Sequence, residues 1–157
     1  GGGLGVPRRI YMDTSVFGGC FEPEFRYAST ALIDEVRAGR TVCVFSVLTR
    51  VELEPAPEWV RALVRELPNE SVEKISMTPE AIELAHAYVA AGVVSIKSSV
   101  DAEHVALATI ARVDAIVSWN FKHLVNLNRI RGFNGVNLLR GYPLIEIRTP
   151  GEVLLDP

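Results

Sequence analysis

Arg9-Ile10-Tyr11-Met12-Asp13-Thr14-Ser15 is a short apolar run that ends in an acid followed by two hydroxyl residues. Ala115-Ile116-Val117-Ser118-Trp119-Asn120 has the same design and ends in an amide. Continuous apolar runs of this length, rich in β-branched residues, read as strands buried on both faces. A polar side chain just past the C-terminal end of a buried parallel strand stands where open α/β sheets bind ligands. Asp13 and Asn120 both offer hard oxygen donors, which suit Mg²⁺ or Mn²⁺. Two further acids, Glu52 and Asp101, are placed where a fold could bring them to the same point.

Outward from these runs the periodicity alternates between strand and helix. Residues 9–13 read as the first strand. A helical stretch opens at Glu22-Pro23-Glu24 and runs to about Ala38, with Gly39 as its stop. Thr41–Ser46 is a second buried strand, and Ser46 is placed to cap a helix carrying Arg50, Glu52 and Leu53. Pro57–Leu67 reads as a short helix and 72–75 as a short strand. Thr78-Pro79 starts a helix that ends near Gly92. Asp101 lies in the first turn of a helix reaching about Ala111. Residues 114–119 form the next strand and 144–147 the last, with a helix over 128–140 interrupted by Gly132 and Gly135. Strands alternating with helices predict an α/β fold: three layers, α/β/α, around a central, mostly parallel sheet of four to five strands.

The chain of 157 residues reads as one domain over 8–149. Folding at this length buries roughly 70% of the accessible surface, so no disulfide or structural metal is required. Residues 1–7 read as a cloning remnant or disordered tail, and 150–157 as a peripheral C-terminal tail. Cys20 and Cys43 have neither metal-site nor disulfide-framework spacing, so reduced thiols and a cytoplasmic location are expected. No signal-peptide h-region and no apolar run of ~20 residues is present, so no membrane partner is expected. The formal net charge of −3 argues weakly against nucleic acid, but residues 112–148 carry six Lys/Arg against two acids, and this basic third could face a polyanion.

Ile10-Tyr11-Met12-Asp13-Thr14-Ser15-Val16-Phe17 resembles the opening motif of PIN-domain nucleases, including the VapC-like toxins of toxin–antitoxin pairs. Ser46-Val47-Leu48-Thr49-Arg50-Val51-Glu52-Leu53 resembles the second motif, where a helix glutamate supplies a carboxylate. Asp101-Ala102-Glu103-His104-Val105-Ala106-Leu107-Ala108 resembles the third, an aspartate opening an Ala-rich helix. Val117-Ser118-Trp119-Asn120-Phe121 stands at the fourth, which commonly carries aspartate; the string SWNFKHLVN is similar to a subgroup with Asn there. The resemblance implies a PIN-like fold and a divalent-metal-dependent endoribonuclease that uses Mg²⁺ or Mn²⁺. Asp13, Glu52 and Asp101 would hold metal, with Asn120 completing the catalytic set. RNA is the implied substrate. A small antitoxin protein and a second copy of the chain are the further partners that the resemblance brings with it.

The chemistry agrees with the residue types. Phosphodiester hydrolysis needs an activated water, neutralised phosphoryl charge and a stabilised leaving oxygen, and carboxylate-held divalent cations supply all three. Thr14 and Ser15 are placed to orient Asp13 or to touch phosphate. His104, three residues after Asp101 on a helix, can donate to phosphate or hold a carboxylate. Lys122 and His123 are candidate phosphate contacts. Ser118 has the parity of Asn120. Simpler roles stay open for several of these: Asp101 as a first-turn helix acid, Asn120 as a strand-end turn residue. Two rival functions follow from the same residues. The Asn at the fourth motif fits a PIN-fold module that binds RNA or protein without cutting. A metal-dependent phosphatase is disfavoured in its aspartyl-phosphate form, because Ser15 stands where a second acid would be needed.

Overall fold

β1 (Arg8–Met12) occupies the middle of the sheet because both of its faces are apolar. Ile10 and Met12 face one layer and Tyr11 the other, and all three are essentially inaccessible to solvent. The computed structural model describes residues 6–155; residues 1–5, part of the segment set aside as a remnant, and 156–157 lie outside it. From β1 the chain passes through α1 (Thr14–Gly19) and α2 (Arg26–Arg37) to β2 (Thr41–Ser46). It continues through α3 (Val47–Leu53) and α4 (Glu58–Arg65) to β3 (Val72–Ile75), then α5 (Pro79–Ala90) and α6 (Ser99–Ile110). β4 (Ala115–Val117), α7 (Leu127–Leu139) and β5 (Ile147–Arg148) complete it.

The five strands are ordered β3-β2-β1-β4-β5 and every neighbouring pair is parallel. The chain therefore builds outward from β1 on one side, then crosses over to build β4 and β5 on the other. The reversal falls between β1 and β4, which pair with Ile10 opposite Ala115 and Met12 opposite Val117. At such a switch point the loops leaving the two strands diverge and open a crevice at their C-terminal ends. Asp13 follows one of these ends and Ser118 the other.

Strand alternation divides the interior into two cores. Tyr11, Val44, Ile116 and Ile147 face α5, α6 and α7. Ile10, Met12, Cys43, Phe45, Ala115 and Val117 face the layer containing α1, α2 and α4. The result is the three-layer α/β/α architecture. α5 and α6 pack closely because their contact positions are small: Ala81, Ala85, Ala102, Ala106 and Ala108 are all buried. Thr78 caps α5 through Ala81 N at 3.1 Å, with Pro79 just inside. Gly39 takes the left-handed conformation after α2 (φ +75°), a region that favours glycine. Cys20 and Cys43 are free, and burial pushes the Cys43 thiol up to about 12. Among the described residues no helix is long and apolar enough to cross a membrane.

α1 is an element that periodicity does not mark, because it has two glycines and only six residues. Three sequence expectations need correction. The 128–140 helix is not interrupted: α7 runs through Gly132 and Gly135, and a Cβ at Gly132 would stand 2.8 Å from Val93 Cγ1, so that glycine serves close packing. The last strand is shorter and later than 144–147, because only Ile147 and Arg148 pair with β4. The C-terminal segment is not peripheral. Pro150 is buried, Val153 and Leu154 pack on the second core, and Leu155 N donates to buried Glu35 at 3.0 Å.

Candidate metal centre

Asp13 is the first residue past β1, and its carboxylate is nearly buried. Its Oδ2 accepts two hydroxyl donors, Ser15 Oγ and Ser118 Oγ, each at 2.8 Å. Ser15 comes from the first turn of α1, Ser118 from the end of β4, so both sides of the switch point grip the same oxygen. Ser15 Oγ also accepts from Trp119 N at 2.9 Å, and Ser118 Oγ from Asn120 N at 2.9 Å. The carboxylate is thereby fixed while Oδ1 accepts no protein hydrogen bond among the described residues.

Glu52 and His104 approach from the two helices that flank the crevice. Ser46 Oγ caps α3 by accepting from Leu48 N, which starts the short helix whose last turn carries Glu52. His104 lies in α6, is 2% exposed, and has both ring nitrogens engaged. Its Nε2 is 2.5 Å from Glu52 Oε1, and its Nδ1 is 2.6 Å from the Tyr11 hydroxyl, which is 2.8 Å from Ser46 Oγ. An ionised carboxylate only accepts, so Nε2–H is the donor to Glu52. In the neutral ring Nδ1 then accepts from Tyr11 O–H, and Tyr11 in turn accepts from Ser46. When the ring is protonated, Nδ1 donates to the Tyr11 oxygen and the Tyr11 proton turns to Ser46. Either way Glu52 is held from behind. Burial pushes the Tyr11 phenol well above its ordinary value, so it remains a neutral member of this chain.

Asp13, Glu52 and His104 present ligand atoms that all lie within 4.8 Å of one another. Asp101 stands outside that tight group but senses it. Burial raises its carboxyl pKa, His123 and His104 partly offset the rise, and the charges of Asp13 and Glu52 reinforce it. At His104 burial acts in the opposite direction, but the Glu52 hydrogen bond and the charges of Glu52, Asp13 and Asp101 outweigh it, so the imidazole is more basic than usual. Acids brought together at one partly buried point repel one another, and a hard cation relieves that repulsion. The donor set therefore fits Mg²⁺ or Mn²⁺: oxygens from Asp13, Glu52 and Asp101, with an imidazole in the same group.

The remaining candidates divide. Asn120 stands three residues past β4, and its Oδ1 accepts from His123 N at 3.0 Å, so its side chain closes the turn over 120–123. Thr14 Oγ1 and His123 Nδ1 are buried atoms without a hydrogen-bond partner in the structure. Lys122 is exposed. Two contributors carried little signal in sequence. Ser118 was noted only for its parity, yet it donates directly to Asp13. Tyr11 reads as a core residue, although its position two before Asp13 on a strand puts it on the same face. A separate cavity of about 500 Å³, lined by Phe45, Leu53, Val64, Arg50, Arg65 and Lys74 among others, shares α3 with the site but contains none of its acids.

The raised values give a sign for pH dependence. The folded protein binds the His104 proton more tightly than an unfolded chain with its ordinary value of 6.5. The stability contributed by that proton is fully present below pH 6.5 and is lost as pH rises through the folded-state value. Asp101 acts with the same sign at acidic pH, above its ordinary 3.8. In chelator-containing buffer the melting temperature should therefore fall as pH rises above 6.5, and His104→Gln should flatten that slope. A wild-type melting temperature that climbs over the same interval in chelator contradicts the assignment. The chain matches no protein-family model and no curated protein.

Proposed function

We propose that the chain is a divalent-metal-dependent endoribonuclease of the PIN type. The observation that supports the reading is the convergence of Asp13 from the end of β1, Glu52 from α3 and His104 from α6, with Asp101, also on α6, near enough for its carboxyl to feel the two acids. The four sequence motifs resembling that family supply its members in chain order. Asp13, Glu52 and Asp101 would hold Mg²⁺ or Mn²⁺. When bound, such a cation activates water near neutral pH and offsets charge on the phosphoryl oxygens.

The chain's own residues have distinct tasks. Ser15 and Ser118 fix one oxygen of Asp13, and the other would be available to a cation. Tyr11 and His104 hold Glu52 in place across the crevice. Thr14 Oγ1 and His123 Nδ1 offer polar atoms still to be satisfied, and exposed Lys122 offers a cation for a phosphate. A protein whose neighbouring chain is a small antitoxin would use this reaction as a toxin.

One observation favours a second reading, an RNA- or protein-binding module that does not cut. An amide stands in the loop after β4 instead of a fourth acid, and its oxygen accepts from His123 N–H. Metal separates the two. An RNA carrying both loops and stems should be cut by the protein in Mg²⁺ or Mn²⁺, and cutting should stop in EDTA and resume when the metal is restored. Folded protein that binds the RNA but leaves it whole in every metal would establish the binding module.

A further inference from the structure

Beside the acids the surface changes from charged to aromatic. The Trp119 and Phe25 rings are stacked, with centroids 4.3 Å apart and planes at 23°. Phe121 completes the group at 6.2 Å from Trp119 and 6.5 Å from Phe25, and it is 51% exposed. The cluster is rigidly tied to the candidate metal centre. Trp119 N donates to the same Ser15 hydroxyl that grips Asp13, and Trp119 Nε1 donates to Ser29 at 2.8 Å. Gly19 permits this placement, because a Cβ there would come within 2.8 Å of Trp119 Nε1 and 2.5 Å of Ser29 Oγ.

Burial explains Trp119 and Phe25, which pack on each other and on α2. It does not explain Phe121, which is half-exposed two residues after that pair's tryptophan. Lys122 follows it, exposed and without an ion pair among the described residues. An exposed ring over an aromatic base, one residue from an exposed lysine and adjoining the proposed phosphodiester site, has the composition of a surface that stacks unpaired bases. A base inside a duplex has both π-faces covered and cannot use it.

We infer that Phe121, supported by Trp119 and Phe25, is a stacking platform for one unpaired base flanking the phosphate at the acids. The inference rests on the nuclease reading for the identity of the strand, but its geometry is independent of whether the strand is cut. Glu22 and Glu24 make the α1–α2 turn acidic, so the backbone leaves the platform over Lys122 instead.

Binding in EDTA at low salt tests this without any cleavage. Trp119 reports it through fluorescence once the second tryptophan, exposed Trp59, is replaced by Phe. The probes are an unstructured oligoribonucleotide of twelve residues, the same oligomer with abasic sites, and the corresponding duplex. The unstructured oligomer should quench Trp119 and bind best. Phe121→Ala should weaken it by roughly 5- to 100-fold, the range expected for losing one base–aromatic stack, and should bring it close to the abasic oligomer. Phe121 is exposed, so the variant should melt with the parent.

Equal affinity of parent and Phe121→Ala for the unstructured oligomer, equal affinity of the parent for base-containing and abasic oligomers, or no binding by the parent overturns the platform and leaves the patch to a protein partner. A protein that binds through Phe121 but never cuts in metal keeps the platform and loses the nuclease. Cutting that survives with Phe121→Ala binding as the parent does keeps the nuclease and loses the platform.

Discussion

Asp13→Asn should abolish metal-dependent RNA cleavage while leaving the protein folded. The substitution keeps the shape of the side chain and an oxygen able to accept from Ser15 and Ser118, which now hold Oδ2 at 2.8 Å each. What it removes is a negative charge at the most enclosed of the converging acids. Loss of a single preorganised electrostatic stabiliser typically lowers a catalytic rate by about 10²–10³-fold, and loss of a direct metal ligand should do at least as much. Stability should respond the other way. With one charge gone from the cluster, Asp101 and Glu52 are repelled less, so in chelator the variant should melt at or above the parent. The check is a paired measurement of initial cleavage rate at saturating Mn²⁺ and of melting temperature in EDTA. A variant that cleaves at the parental rate would place the reacting centre elsewhere; one that fails to fold would mean that the Asp13 charge is needed to hold the β1 and β4 ends together.

The parts of this arrangement that were legible in the sequence are those encoded locally. The run Thr41–Ser46 needs no partner to be recognised as a strand, and it is one over the residues read. Thr78-Pro79 announces a helix start through its own capping chemistry. Asp13 could be assigned to the crevice because a buried strand followed by an acid has few other uses. The parts that were hidden depend on residues far apart in the chain. Nothing near Tyr11 shows that its hydroxyl meets His104, 93 positions later. Ser118 becomes an Asp13 partner only when β4 pairs beside β1 in a register that sets Met12 against Val117. Gly132 and Gly135 look like helix interruptions until Val93 is packed against the first of them. β5 is set by pairing rather than by its own residues: the Leu144–Ile147 run has strand composition, yet only its last residue lies opposite β4. His104 is the intermediate case. Its spacing from Asp101 indicated a residue that holds a carboxylate, but the carboxylate it holds is on α3, not one turn away on its own helix.

That cross-helix bond makes His104→Ala the substitution with the largest expected structural effect. The side chain is 2% exposed and fills space between Tyr11 and α3, so truncation leaves a cavity as well as a Tyr11 hydroxyl with one partner fewer. Cavity and polar terms together should cost about 3 kcal/mol, which for a chain of this size lowers the melting temperature by roughly 6–12 °C. Tyr11→Phe separates the contributions. It keeps the packing and removes only the hydroxyl between Ser46 and Nδ1, so it should cost about 1–2 kcal/mol while Nε2 still faces Glu52. Function should follow the Glu52 contact rather than the stability. Without His104 the half-exposed Glu52 carboxylate is free to turn to solvent, and loss of such an orienting partner lowers metal affinity by about 10–100-fold. Mn²⁺ titration of the folded variants by calorimetry reads this directly. His104→Ala should bind Mn²⁺ far more weakly than Tyr11→Phe at a temperature where both are folded. If both bind as the parent does, His104 serves the core alone, and Glu52 reaches the cation without being held.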